Sequence, residues 1–136
     1  MSICIIGNSL SALTLAKALV NQKICVEVLY NKKNLNINKT RTIGLSKSNT
    51  DYLEKHVIGI NKLLWKLKKI EIFSDNLKKE KLIDFKKNRE HIFSIIKNYK
   101  FYQLLDRDLH KNKYFKLKFF SSKNWSSIEK YDLVVN

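Results

Sequence analysis

The sequence predicts an α/β fold: a parallel sheet with crossover helices, carrying a smaller antiparallel insertion. Three observations lead there. The chain begins with a short apolar run, a turn, a helical pattern and a second apolar run, "SICIIGNSLSALTLAKALVNQKICVEVLY", which is the order of a βαβ crossover. It closes on "YDLVV", Tyr131–Val135, another short continuous apolar run. Runs of this kind suit strands buried on both faces, as parallel sheets require. Between these ends, "KIEIFSD" alternates apolar and polar residues, the pattern of a half-exposed strand. "KLIDF" follows it after a Lys-rich turn as an antiparallel partner.

Taken in order, Ile3–Ile6 is rich in β-branched residues and forms the first strand. Gly7 to Ser9 make the turn. From Leu10 to Asn21, Leu13, Ala16, Leu19 and Val20 recur at helical spacing, so a helix packs one face on the sheet. Ile24–Tyr30 is the second strand, and "NKKNLNINK" is a polar loop. "RTIGLSKS", Arg41–Ser48, has a short apolar centre at Ile43–Leu45. "SNTDYLEKHV" then reads as a helix with a Ser or Asn cap. Residues near Ile92 to Ile96 begin a strand, and Asn98–Leu109 is helical, with Phe101, Leu104, Leu105 and Leu109 on one face. "YFKLKFF" alternates once more. The chain has no proline, repeat or low-complexity linker, so residues 1–136 are expected to form a single domain.

Hydrophobic residues make up 44% of the chain, enough for a core and too many for a disordered segment. No apolar run approaches the ~18 residues of a membrane span, and the N-terminal residues give no expectation of a signal peptide. A cytoplasmic location, at most peripheral to a membrane, is the expectation. Cys4 and Cys25 both fall in predicted strands, where they are expected as buried small hydrophobes. The net charge of +15 suggests a nucleic-acid partner. The composition gives a plainer cause: there are 24 lysines, 15 isoleucines and 14 asparagines, all with AT-rich codons, but only 3 arginines. Base and phosphate recognition favours the rigid arginine fork, so specific nucleic-acid binding is not expected. His56, His91 and His110 lack ligand spacing, and no metal is expected. Asp106 and Asp108 flank a helix end and are expected to be solvated.

The stretch "GNSLSA" carries the candidate chemistry. In a dinucleotide fingerprint the first glycine makes a tight turn, the second admits the pyrophosphate, and the third lets helix and strand pack closely. Gly7 holds the first position, Ser9 the second and Ala12 the third. The helix behind them would offer free N–H groups and a positive dipole end to an anion. A plain strand-to-helix turn would leave the same residues. The position at the end of the second strand, where a carboxylate would hold the ribose, is Tyr30; the nearest acid, Glu27, lies three residues earlier.

With "RTIGLSKSNTDYLEKHVIGI", the chain resembles the flavin-dependent aromatic hydroxylases of ubiquinone biosynthesis, within the group like para-hydroxybenzoate hydroxylase. That family follows its glycine-rich turn with a motif D-x-R-x-x-[AG]-L. Arg41, Gly44, Leu45 and Ser46 match it, with Lys39 in place of the aspartate. "KIEIFSD" is similar to the family's next strand. "HIFSIIKNYKFYQLL" is similar to its segment with a polar residue before a helix, here Asn98. "YDLVVN" is similar to the strand that leads into its second flavin motif.

The resemblance implies a Rossmann-like FAD/NAD(P)-binding sheet, with FAD held by Gly7, Ser9, Ala12, Tyr30 and Arg41, the last beside the flavin and its diphosphate. Ser46 and Asn98 would have lesser roles there, or serve as caps. It also implies NAD(P)H as reductant, a polyprenylated aromatic quinone precursor as substrate, and other quinone-synthesis proteins as partners. No catalytic acid, base or nucleophile is assigned. In this reading the second flavin motif and substrate half lie beyond "YDLVV", and the 136 residues alone are expected to hydroxylate nothing. Two alternatives stay open: a non-catalytic relative with a binding or scaffolding role, and a basic α/β nucleic-acid-binding domain.

Overall fold

The computed structural model describes residues 1–30, 38–75, 81–86, 92–120 and 128–136. Four strands form a parallel sheet: β1 (Ser2–Ile6), β2 (Cys25–Tyr30), β8 (Phe115–Phe119) and β9 (Leu133–Val135), in the order β8-β2-β1-β9. The three continuous apolar runs are therefore parallel neighbours, with Ile3 beside Val26 on one side and Leu133 on the other. Both faces are covered near the centre. Ile3, Ile5, Val26 and Val28 pack against α1 (Leu10–Asn21) and α3 (Asn98–Leu109), while Cys4 and Leu29 form a smaller core with Phe120 and Ile128.

The helices form where their patterns place them. Ala12, Leu13, Ala16 and Val20 are the buried residues of α1, and Phe101, Leu105 and Leu109 those of α3. Asp108, whose side chain remains partly exposed as expected, also pairs with Lys17 at 2.6 Å and ties α3 to α1. Lys17 also donates to Asn21 Oδ1, and the Asn21 amide donates to the carbonyls of His56 and Val57. The predicted helix at 48–57 is split: α2 is Lys47–Tyr52, and a π-helical turn, Leu53–Val57, continues it. That turn supplies the carbonyls that Asn21 receives.

The antiparallel part is in two pieces. β3 (Thr42–Ser46) and β4 (Trp65–Leu67) flank β7 (Phe93–Lys97), and β5 (Lys69–Phe73) pairs with β6 (Lys81–Lys86). Glu71 and Asp84 face each other across the β5–β6 ribbon, like charges relieved by Lys81, which bridges to both. β8, which the alternation in "YFKLKFF" marks as half-exposed, is the edge strand beside β2 in the parallel sheet. Its Lys116 and Lys118 are exposed, as charged residues on an edge strand commonly are. Cys4 is fully buried and its thiol is pushed up mainly by that burial. Cys25, at the open start of β2, is exposed, so the expectation of a buried thiol fails there. No helix of the described residues is long and apolar enough to cross a membrane.

Candidate dinucleotide site

The turn after β1 is built on Gly7. Its φ is +103°, a region that L side chains enter only under strain. Its N–H donates to Leu29 O at 2.7 Å, which fastens the turn to the carboxyl end of β2. A Cβ placed on Gly7 would meet nothing within 4 Å. Glycine is thus required by the backbone, and the space above it is open to an approaching group.

Ser9 is the N-cap of α1, with extended backbone and Oγ accepting from Ala12 N–H at 3.2 Å. Capping accounts for a serine at this position. It leaves the hydroxyl proton free. The N–H groups of Leu10 and Ser11 find no acceptor among the described residues, so they remain open to an anion at the positive end of the helix. Ala12 is buried in the core beneath the helix, in keeping with the close-packing role of the fingerprint's third position.

Tyr30 ends β2 one residue beyond the Leu29 carbonyl that holds Gly7. Its own carbonyl accepts from Phe120 N–H at 2.8 Å, and its ring stands edge-on to Phe119 at 5.7 Å between centroids. Its hydroxyl has no hydrogen-bond partner among the described residues. Gly7, Ser9, Ala12 and Tyr30 therefore gather at one end of the parallel sheet. Glu27 does not join them. It sits three residues back beside Tyr131, whose phenol is pushed up by burial first and then by its hydrogen bond to Glu27. Glu27 Oε1 is buried without a hydrogen-bond partner, with Lys118 Nζ 4.0 Å away.

Arg41 lies just before β3 and is exposed. Its N–H donates to Asn38 O and its carbonyl accepts from Asn98 N–H at 3.0 Å, which brings the two sequence-selected residues together at the root of β3 and α3. The guanidinium itself has no ion pair or hydrogen bond among the described residues. No hydrogen bond, ion pair or ring contact joins Arg41 to the Gly7 turn there. A cleft of about 520 Å³ opens from the first turns of α1 to β3, with Leu10, Ser11 and Thr14 on one wall and Ile43, Leu45 and Phe101 on the other.

Other residues of the motif are used by the fold. Ser46 caps α2, accepting from Asn49 N–H at 3.2 Å. A Cβ on Gly44 would lie 2.4 Å from the Phe93 ring, so this glycine makes room for the ring across the β3–β7 pair. Asn98 opens α3 as its first residue, and the cap position, Lys97, makes no side-chain bond. His56 stacks near Tyr52, and His110 Nδ1 lies 2.8 Å from Asp106 O. His91 and most of the loop at 31–39 lie outside the described residues. Glu54 went unnoticed in the sequence. Its carboxylate accepts from the N–H groups of both Ile60 and Asn61 and fixes the turn after the π-helical segment. No sequence spacing signals that contact.

A parallel sheet whose first strand ends in a positive-φ glycine below an open helix N-terminus is an arrangement that α/β nucleotide-binding folds also use. With its antiparallel insertion, the fold is similar to that of solved monooxygenases. The chain is similar to p-nitrophenol 4-monooxygenase PnpA of Pseudomonas putida DLL-E4, with a TM-score of 0.70 and 11% identity over 86% of this chain and 31% of that one. It is equally similar to PqsL of Pseudomonas aeruginosa, a probable FAD-dependent monooxygenase, with a TM-score of 0.70 and 14% identity over 88% of this chain and 32% of PqsL. For the tetrameric form of 2-methyl-3-hydroxypyridine-5-carboxylic acid oxygenase the TM-score is 0.68, with 14% identity over 87% of this chain and 31% of that one. The likeness is one of fold, and the chain spans about a third of the length of these structures. No family model and no curated protein sequence gives a significant match.

Proposed function

We propose that this chain is the FAD-binding portion of a flavin-dependent monooxygenase that hydroxylates an aromatic ring. The observation that supports it best is the open approach over Gly7, at φ +103°, below the free N–H groups of Leu10 and Ser11, in a fold shared with monooxygenases. Gly7 and the first turn of α1 hold the pyrophosphate, with the Ser9 side chain beside it, capping the helix but crowding the phosphate where a glycine would not. Ala12 keeps the helix close to the sheet. The Tyr30 hydroxyl takes the ribose in place of a carboxylate, a neutral and therefore weaker contact. Arg41 gives the cofactor an exposed positive charge. Bound FAD supplies the redox chemistry, with NAD(P)H as reductant. The finer reading, from sequence resemblance, is a polyprenylated quinone precursor as substrate, in company with other quinone-synthesis proteins and in the cytoplasm or at a membrane surface.

A second reading, a non-catalytic relative that keeps the fold, is favoured by one feature: the ribose position carries Tyr30 and the nearest acid, Glu27, is turned toward Tyr131. Titration of the purified chain with FAD, followed by flavin fluorescence and visible absorbance, decides between the two. Saturation at one FAD per chain supports the flavin reading. No binding at millimolar FAD overturns it and leaves the non-catalytic relative.

A further inference from the structure

A second concavity lies away from the Gly7 turn. It is an open groove of about 930 Å³ between α3 and the turn at residues 59–63. Tyr99, Lys100, Gln103, Leu104 and Arg107 line it from α3, a spacing that places them on one helical face. Lys62 stands on the opposite wall. That wall is held in shape by the Glu54 carboxylate, which is committed to the Ile60 and Asn61 N–H groups. Among the described residues, Glu54 is also the only acid lining the groove.

Three cations outnumber the one carboxylate here for a physical reason. The acids of α3 do not line the groove: Asp108 pairs with Lys17 at 2.6 Å, and Asp106 lies 3.4 Å from His110 Nδ1. The side chains of Lys62, Lys100 and Arg107 have no ion pair or hydrogen bond among the described residues. Lysines scattered over a Lys-rich surface would carry no meaning. These three cations instead converge on one concavity, and one of them is among only 3 arginines in the chain. The guanidinium fork suits a planar or tetrahedral oxyanion, and Tyr99 and Leu104 offer an apolar surface beside it.

We propose that this groove binds one amphipathic anion per chain, with a carboxylate, phosphate or sulfonate head on an aromatic or apolar body. The site is independent of the flavin reading. The probe is 8-anilinonaphthalene-1-sulfonate, with uncharged N-phenyl-1-naphthylamine as its counterpart. The triple variant Lys62→Gln, Lys100→Gln, Arg107→Gln is compared with a charge-matched triple elsewhere, Lys66→Gln, Lys68→Gln, Lys111→Gln. All six side chains are exposed, so both triples should keep the parent's circular dichroism.

The groove triple should weaken sulfonate binding at least tenfold and the control triple less than twofold, with one dye per chain and weak binding of the uncharged dye throughout. Equal weakening by both triples, equal affinity for the two dyes, or unsaturable binding would overturn the proposal. Displacement of the dye by phenyl phosphate assigns the groove to a soluble anion. Displacement only by phosphatidylglycerol vesicles, with phosphatidylcholine inert, assigns it to a lipid head group, and displacement by neither refutes it. FAD titration should be the same for the groove triple and the parent, so failure of the flavin reading leaves this test intact.

Discussion

Gly7 permits an experiment that separates what the fold requires of the turn from what a cofactor would require. At φ +103° an L residue is held in a sparsely populated region, at a cost of about 1–3 kcal/mol. A Cβ there touches nothing within 4 Å, so Gly7→Ala should lose stability through backbone strain alone. For a domain of this size that loss lowers the melting temperature by roughly 3–10 °C. Asparagine tolerates positive φ better than alanine, so Gly7→Asn should recover part of the loss. Its side chain also reaches further into the open space. If a pyrophosphate approaches over this residue, FAD affinity should fall in the order Gly, Ala, Asn, while stability falls in the order Gly, Asn, Ala. Differential scanning calorimetry and FAD titration on the three proteins read the two orders. Equal stability of Gly7→Ala and the parent would refute the conformational argument. An FAD affinity that merely follows stability would refute the proposed approach over Gly7.

Gly44→Ala would set a methyl 2.4 Å from the Phe93 ring and should cost about 1–3 kcal/mol in urea unfolding; adding Phe93→Leu should recover most of it, and no recovery would mean the ring is not the obstacle. Ser9→Gly should tighten FAD at a stability cost of only a few tenths of a kcal/mol, and Tyr30→Glu should tighten it by about 1–2 kcal/mol; if titration shows neither gain, these positions do not face the cofactor. Arg41→Ala should weaken FAD binding with an unchanged melting temperature, because the guanidinium has no partner among the described residues; a lowered melting temperature would contradict that. Asp132 accepts from the backbone N–H and hydroxyl of Ser2, which hold its carboxyl below the ordinary aspartate range. A depressed folded-state pKa stabilises above the unfolded-state value, and the effect is lost as pH falls through the folded one; Asp132→Asn should flatten that part of the acid-unfolding curve, and an unaltered curve would exclude the contact.

The sequence reveals most where a residue answers to its own backbone or to its nearest neighbours. Continuous apolar runs identify β1 and β2 because a strand covered on both faces can carry few polar side chains; the same pattern finds β9, although there Leu133 and Val134 stay exposed at the end of the described sheet. The bounds of α3 follow from its spacing of Phe101, Leu105 and Leu109. Strand order is harder to see. The alternation of β8 is real, but it reflects an edge position in the parallel sheet beside β2, and only the crossover through α3 decides that. The same limit hid Asp108 on Lys17, Asn21 on the His56 and Val57 carbonyls, and Glu54 on the turn at 60–61, all made across distant elements or around a turn. Cys25 is exposed against its apolar surroundings in sequence because it stands at the open start of β2.

The candidate site divides along the same line, and the division bears on function. Gly44 and Ser46 match a flavoprotein motif, yet each is fully explained by local packing or capping, with Phe93 over the first and the Asn49 N–H donating to the second. Their presence therefore says little about a cofactor. Gly7 has a structural duty too, but the duty ends at its φ; the open space above it is something the turn does not require. The Tyr30 hydroxyl, the Arg41 guanidinium and the N–H groups of Leu10 and Ser11 likewise satisfy no contact among the described residues. A phosphate turn kept only as scaffold could lose these uncommitted groups at little cost to folding, whereas one that binds FAD must lose affinity with them. The decisive result is the contrast within one protein: Arg41→Ala and Gly7→Asn should impair binding out of proportion to stability, and Gly44→Ala should impair stability out of proportion to binding.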